Sequence, residues 1–323
     1  MALRVVRTAV VAAAVLGLGA CQVVQFIFGS VFPATVPLLE ATADLSSVIP
    51  SGFSGTLRLR LVEAGSTTYV ILAVSNGVGN VTAYVYDTNL SRKKTFTGLA
   101  GDGVMIDSSN RLVIGSSLFN LSDLSSAGSI SPVLASNGVS TGADGFVDSS
   151  LNQLANITIS SSTLNWLIYP VGWGSSTPQS VAISSGQSFN LDAVVPDASP
   201  TGSVLLAGEP QGGGGGGNNK GTTEYFAVAP KNGFSPASAF ANGPHRDNLL
   251  STSIGYVQGS ILAYDMQTAS FVRLDPATAS TTDTFSTNGD FSNAEFAYSS
   301  GGGSFYVYDR QTRVLDKYAQ WWK

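Results

Sequence analysis

The chain has 323 residues, 43% of them hydrophobic and 11% charged, with one histidine, one cysteine and a formal net charge of −5. That length supports one large domain or two ordinary ones. A lone cysteine excludes an internal disulfide framework, the scarcity of His and Cys excludes a conventional metal site built from them or a histidine-rich catalytic centre, and the acidic balance argues against a nucleic-acid binder, whose phosphates call for a basic face.

The first informative stretch is the N-terminus. Arg4 and Arg7 precede an apolar run, Thr8 to Gly19, which ends in Leu18-Gly19-Ala20-Cys21. A short positive region followed by an apolar run and small residues has the layout of a secretory leader. Leu18 to Cys21 resembles the lipobox of bacterial lipoproteins. The resemblance implies cleavage before Cys21, lipidation of Cys21 and attachment of the mature chain to a membrane. Gln22, rather than Asp, follows the cysteine, and by analogy with some lipoproteins this favours the outer membrane or periplasmic face. The alternative is an uncleaved anchor over Thr8 to Phe32, a length that spans a bilayer, although Gln22 and Gln25 interrupt it. Both readings place the rest of the chain outside the cytoplasm. Residues 21–50 then read as an acylated N-terminus and tether, broken by Pro33, Pro37 and Pro50.

From Phe53 onward helical periodicity is almost absent. Short apolar or alternating runs are each followed by Gly, Asn, Asp or Ser: Thr56–Val62, Tyr69–Val74, Val81–Tyr86, Arg111–Ile114, Trp166–Tyr169, Ile261–Tyr264 and Phe305–Tyr308. These runs read as strands. Asn-Gly pairs begin at Asn76, Asn137, Asn232, Asn242 and Asn288, the chemistry of tight hairpin turns. Many short strands with regular turn signals predict an all-β domain. Residues 211–219, with six consecutive glycines, predict a flexible loop.

Repeats sharpen the expectation. Three runs end alike, Val85-Tyr86-Asp87, Ala263-Tyr264-Asp265 and Val307-Tyr308-Asp309, and the last two lie 44 residues apart. Gly103–Ser109 and Gly145–Ser150 both end in Asp-Ser-Ser, 41 residues apart. Several strands repeated at such a period are the pattern of a β-propeller. The segments Gly103–Ser116 and Phe296–Tyr318 resemble NHL-type and quinoprotein-like bacterial propeller repeats. The expectation is a single β-propeller over residues 51–323, of six blades or of seven with irregular units. Its ring would be closed by Thr56–Val62 pairing beside Arg313–Tyr318. A β-sandwich, or two, is the rival fold.

Candidate chemistry is sparse. Gly138-Val139-Ser140-Thr141-Gly142 matches a nucleophile-elbow pattern, but turn-and-strand sequence follows where a helix is needed. His245 lies in a loop-like context and would have to serve as its base. Lys220-Gly221-Thr222-Thr223 lacks the preceding glycine of a phosphate loop. Asp87, Asp265 and Asp309 are equivalent in the repeat. They read as turn-capping residues, with a Ca²⁺ ring as the sharper alternative. Asp102-Gly103 and Asp144-Gly145 also read as turns. Arg92-Lys93-Lys94, the largest basic run, reads as a solvated hairpin turn. Trp166, Trp173, Trp321 and Trp322 read as packing residues rather than a sugar-stacking set. No catalytic, cofactor-binding or metal-binding residue is assigned. The expected function is that of an envelope-anchored binding or scaffold module. Its partners would be a membrane, reached through the lipid, and an envelope protein or glycan, with no nucleic acid. A glycan-acting or quinone-dependent propeller enzyme is the alternative, and an architectural subunit a third reading.

Overall fold

The computed structural model describes residues 38–76, 80–100, 103–106, 111–115, 117–129, 144–148, 153–160, 163–170, 177–182, 189–196, 203–210, 221–230, 243–287, 289–299 and 303–319. Among them the chain is all-β, as its turn-punctuated runs require. It has antiparallel strands throughout and one short 3-10 turn, Ser251–Ser253. No helix of the described residues is long and apolar enough to cross a membrane. The leader, Cys21 and the first part of the expected tether lie outside the described residues, as do residues 211–219.

The strands fall into consecutive groups. Strand β1 (Leu39–Asp44) stands alone in the chain. Next come β2 (Thr56–Ala64), β3 (Thr67–Ser75), β4 (Val81–Tyr86) and β5 (Arg92–Leu99), paired in that order. The third group is β6 (Val104–Ile106), β7 (Arg111–Ile114), β8 (Ser117–Asn120) and β9 (Ser126–Ser129). The fourth is β10 (Asp144–Asp148), β11 (Gln153–Ser160), β12 (Thr163–Pro170) and β13 (Thr177–Ala182). Each of these forms a four-stranded sheet in chain order. Then follow β14 (Phe189–Pro196), β15 (Ser203–Pro210), β16 (Thr222–Pro230) and β17 (His245–Leu249). After them come β18 (Gly255–Val257), β19 (Ser260–Asp265), β20 (Ser270–Leu274) and β21 (Thr281–Ser286). These eight belong to one sheet, but the two halves meet through a single pair, Leu249 opposite Asp265. Finally β22 (Ala294–Tyr298), β23 (Ser304–Asp309) and β24 (Val314–Ala319) form a sheet whose fourth strand is β1.

That last pairing corrects the expected closure. Thr56–Ala64 does not lie beside β24; it opens the sheet of β2–β5. Instead β1, from the segment expected to be a tether, runs antiparallel to β24 with Thr42 opposite Asp316. The Thr42 hydroxyl donates to Asp316 Oδ1 at 2.6 Å, and Lys317 pairs with Glu40 at 2.9 Å. The Arg313 guanidinium reaches back to the carbonyls of Ser46 and Ile49.

The cores lie between successive groups. In β3, Val70 and Leu72 bury toward Tyr306, Tyr308 and Leu315, while Ile71 and Ala73 bury toward Leu112 and Ile114. A strand buried on both faces reads as a continuous apolar run, which explains Tyr69–Val74. Phe96 and Phe119 stack across the next junction at 3.9 Å. Leu205, Ala207 and Phe226 pack with Ile261, Ala263 and Val272, and Tyr264 and Phe271 pack with Phe296 and Phe305. The first strands of the groups are neighbours in turn: β2 lies against β6, β6 against β10, β10 against β14, β14 against β18, β18 against β22, and β22 against β2. At the β18 to β22 contact the ring of Tyr298 covers Gly255 so closely that a Cβ there would meet it at 2.3 Å, and the Tyr298 hydroxyl donates to the Ser253 carbonyl at 2.7 Å.

Candidate functional site

The outer two strands of the β2–β5 sheet form one wall of an open groove of about 510 Å³, lined by Val48, Thr82, Tyr84, Arg92, Lys93, Lys94, Thr95 and Thr97. Register explains the lining. Tyr84 lies opposite Thr95, so the cross-strand pair presents a phenol and a hydroxyl to one side, with Thr82 and Thr97 two residues further along their strands. Val48 comes from the turn after β1, which is pinned by hydrogen bonds from Val48 and Ile49 N–H to the Leu45 carbonyl. The basic run expected in a hairpin turn is not in one. The turn is 87–91, and Arg92, Lys93 and Lys94 open β5, an outer strand, with all three exposed. The register of β5 shifts between Val85 and Tyr86, which brings Lys93 within 2.8 Å of Asp87.

Asp87 is itself a turn residue, accepting the N–H groups of Asn89 and Ser91, both at 2.9 Å. Burial pushes its carboxyl up, but Lys93 and those N–H groups outweigh it and hold the pKa below the ordinary value. Lys93 is therefore compensated. Among the described residues Arg92 forms no ion pair, and the hydroxyls of Tyr84, Thr82, Thr95 and Thr97 have no protein partner, whereas Lys94, opposite Val85 on the other face of the sheet, helps hold the Asp123 carboxyl below its ordinary value. Burial raises the Tyr84 phenol, with Arg92 opposing in part, so it stays a neutral donor at physiological pH. The groove thus gathers uncompensated donors and no free carboxylate.

The repeated aspartates cap turns. Asp265 Oδ1 accepts the N–H groups of Gln267 and Thr268, and Asp309 Oδ1 that of Gln311. Each serves its own turn rather than converging on a shared ion. Among the described residues no group of three or more His, Cys, Asp or Glu is placed to hold a metal. His245 is not in a loop: it opens β17, exposed, with its ring stacked on Tyr225 at 4.8 Å. Asp144 begins a strand rather than a turn, and Thr222 begins β16, a strand where a phosphate loop needs a helix. Ser140, Lys220, Asp102, Trp173, Trp321 and Trp322 lie outside the described residues.

Sequence reading missed two buried carboxylates. Glu295, on β22, is buried and pairs with Arg310; burial raises its carboxyl while Arg310 opposes. Glu224, on β16, has no exposure at all. Thr222 donates to its Oε1 at 2.5 Å, and its buried Oε2 has no hydrogen-bond partner. Burial, then the nearby carboxylates of Asp192 and Glu209, push its pKa up to about 8. The available signal was parity: Glu224 shares a strand face with the buried Phe226.

No family model matches the chain, and no curated protein matches it. Among solved structures, a chain of hydrazine synthase from Kuenenia stuttgartiensis is similar at 10% identity. It covers 85% of this chain and 98% of its own length, with a TM-score of 0.48. A chain of a nidogen/laminin complex is similar at 9% identity, covering 72% and 81%, with a TM-score of 0.41.

Proposed function

We propose that the protein is a six-bladed β-propeller acting as a binding module, held outside the cytoplasm of a bacterium by a lipid on Cys21, with the groove of the β2–β5 sheet as its ligand site. Support for the propeller comes from six four-stranded groups whose first strands neighbour one another in cyclic order, and from β1 supplying the last group's fourth strand. Support for the address comes from the leader and from the solitary cysteine at its end. The observation that carries the binding reading is the groove itself. Donors without protein partners, fixed on paired strands, are a preorganised surface for a ligand that supplies acceptors.

The test uses the full chain, extracted in detergent from its own membrane. Crosslinking in whole cells, followed by recovery of the wild type and of an Arg92→Ala/Lys94→Ala variant, is expected to retain one envelope component on the wild type only. Identical recoveries would overturn the groove as the site. Cys21→Ser in the same cells is expected to abolish lipid labelling and move the chain out of the detergent phase; unchanged partitioning would overturn the anchor.

A further inference from the structure

We propose that the groove's ligand is an acidic saccharide, one bearing carboxylate or phosphate groups along a chain of sugar hydroxyls. This rests on the reading of the groove as the ligand site and specifies its chemistry. One cation, Arg92, stands on β5 opposite Tyr86, on the sheet face of Tyr84 and Thr95; Lys94, opposite Val85, lies on the other face, where it neighbours Asp123. Arg92 has no carboxylate partner among the described residues, in a chain whose acidic side chains outnumber Lys and Arg by 21 to 16. An uncompensated guanidinium presents a planar fork that matches a carboxylate or a phosphate with two parallel hydrogen bonds. Beside it stand four hydroxyls, of Thr82, Tyr84, Thr95 and Thr97. A hydroxyl both donates and accepts, so this row suits a ligand that offers hydroxyls of its own beside its charge.

Other anionic partners fit less well. Leu38, Leu39 and Val228 are the large apolar side chains exposed among the described residues, and none of them lines the groove. A membrane surface would therefore find nothing here to insert below its headgroups. An acidic peptide could add to the edge of β5, but that edge is a poor template. Its register against β4 shifts twice, and Gly98 turns it into the left-handed region at φ 71°. Irregular, charged edges resist strand addition. An oligosaccharide needs no backbone ladder.

The full chain in detergent is titrated calorimetrically with tetragalacturonate, with pentamannose 6-phosphate, with neutral maltotetraose and with a tetraglutamate peptide. Vesicles of phosphatidylglycerol, against phosphatidylcholine, are assayed by co-sedimentation. At least one of the two acidic saccharides is expected to bind, more weakly as salt rises, with maltotetraose silent. Arg92→Ala is expected to weaken that binding about tenfold, with Arg92→Lys intermediate, and Lys94→Ala, on the other face of the strand, to weaken it less. Both side chains are exposed, so the melting temperature of each variant is expected to match the wild type. Binding of maltotetraose at equal strength, binding of neither acidic saccharide, a preference for the vesicles or the peptide, or indifference to Arg92→Ala would overturn the proposal. If the crosslinked component still depends on Arg92 while neither acidic saccharide binds, the ligand class falls and the groove stands. If that dependence is absent too, both fall.

Discussion

At the scale of a residue, Glu224 is the side chain whose chemistry departs furthest from its ordinary behaviour. It is sealed on β16, with Asp192 and Glu209 as neighbours and the Thr222 hydroxyl as its donor. Arg246 lies opposite it in register but is engaged by Asp265 at 3.1 Å. Without a counter-charge, burial keeps the carboxyl protonated up to about pH 8 in the folded state, while in the unfolded chain it ionises near its ordinary value of 4.5. Between those values the folded state binds the extra proton, so the stability due to Glu224 is fully present below pH 4.5. It is lost progressively as pH rises toward 8, a change on the order of a few kcal/mol. Glu224→Gln keeps an acceptor for Thr222 and removes the titration. The variant is expected to match the wild type at pH 5 and exceed it at pH 8.5 in urea denaturation; equal stability at both would mean that the carboxyl is ionised in the fold. Parity with Phe226 makes the burial of Glu224 legible in the sequence. Its neutrality is not, because Glu209 and Asp192 reach it from strands 15 and 32 residues earlier.

At the scale of an element, the strands were largely legible, and so were the turns that the repeated aspartates cap. Val81–Tyr86, Arg111–Ile114 and Ile261–Tyr264 fall where alternation and apolar runs place them, because a strand's burial is written in consecutive residues. The Asn-Gly pairs each include a residue outside the described ones. The described aspartate turns add a feature that the sequence did not announce. An aspartate caps, and the residue four positions on takes a left-handed conformation without being glycine: Ala269 after Asp265, Ala279 after Asp275, Arg313 after Asp309, with φ between 50° and 61°. The N–H groups of Ala279 and Arg313 bond back to the aspartate's carbonyl. The aspartate's contribution and the left-handed residue's strain therefore oppose each other. At Asp265, buried and holding two N–H groups and Arg246, Asp265→Ala is expected to cost on the order of 2–3 kcal/mol. At the exposed Ala269, a left-handed L-residue costs roughly 1–2 kcal/mol, against an entropic cost of glycine of roughly 0.5–1. Ala269→Gly is thus expected to stabilise by about 0.5 kcal/mol, read as a higher denaturant midpoint at constant slope. A lower midpoint would mean that the turn is not strained.

At the scale of the whole molecule, the decisive contact joins the two ends of the described chain. β1 escaped sequence reading for a physical reason. Leu39–Asp44 is LEATAD, half-exposed, with two acids and two alanines and none of the β-branched density that marks an inner strand. An outer strand needs only one partner and little burial, so its pattern is faint. The same logic hid the groove, since Arg92-Lys93-Lys94 looks like a turn unless its neighbour Tyr84 is known to face Thr95 across the sheet. Yet β1 contributes more than its own pairing. Leu45 and Ile49, just beyond it, are each 1% exposed and belong to the core shared by β2–β4 and β23–β24. The strand therefore ties the last sheet to the first. Thr42 and Asp316 already touch across the β1–β24 pair, and directly opposed residues on antiparallel strands lie ~4.5–5.5 Å apart at Cα, within disulfide reach. In a Cys21→Ser background, Thr42→Cys with Asp316→Cys is expected to oxidise spontaneously to an intramolecular crosslink. The closed loop spans most of the chain, so the oxidised form is expected to gain about 4 kcal/mol over the reduced one, visible as a later thermal transition reversed by reductant. The loss of the Thr42 hydrogen bond is small beside that. Failure to crosslink, or a crosslink without a gain in stability, would mean that the ends are not held together in solution, and a six-bladed ring would lose its closure. Formation with the expected gain would leave one cooperative body, in which the groove beside Val48 is held by the same strand that ties the last sheet to the first.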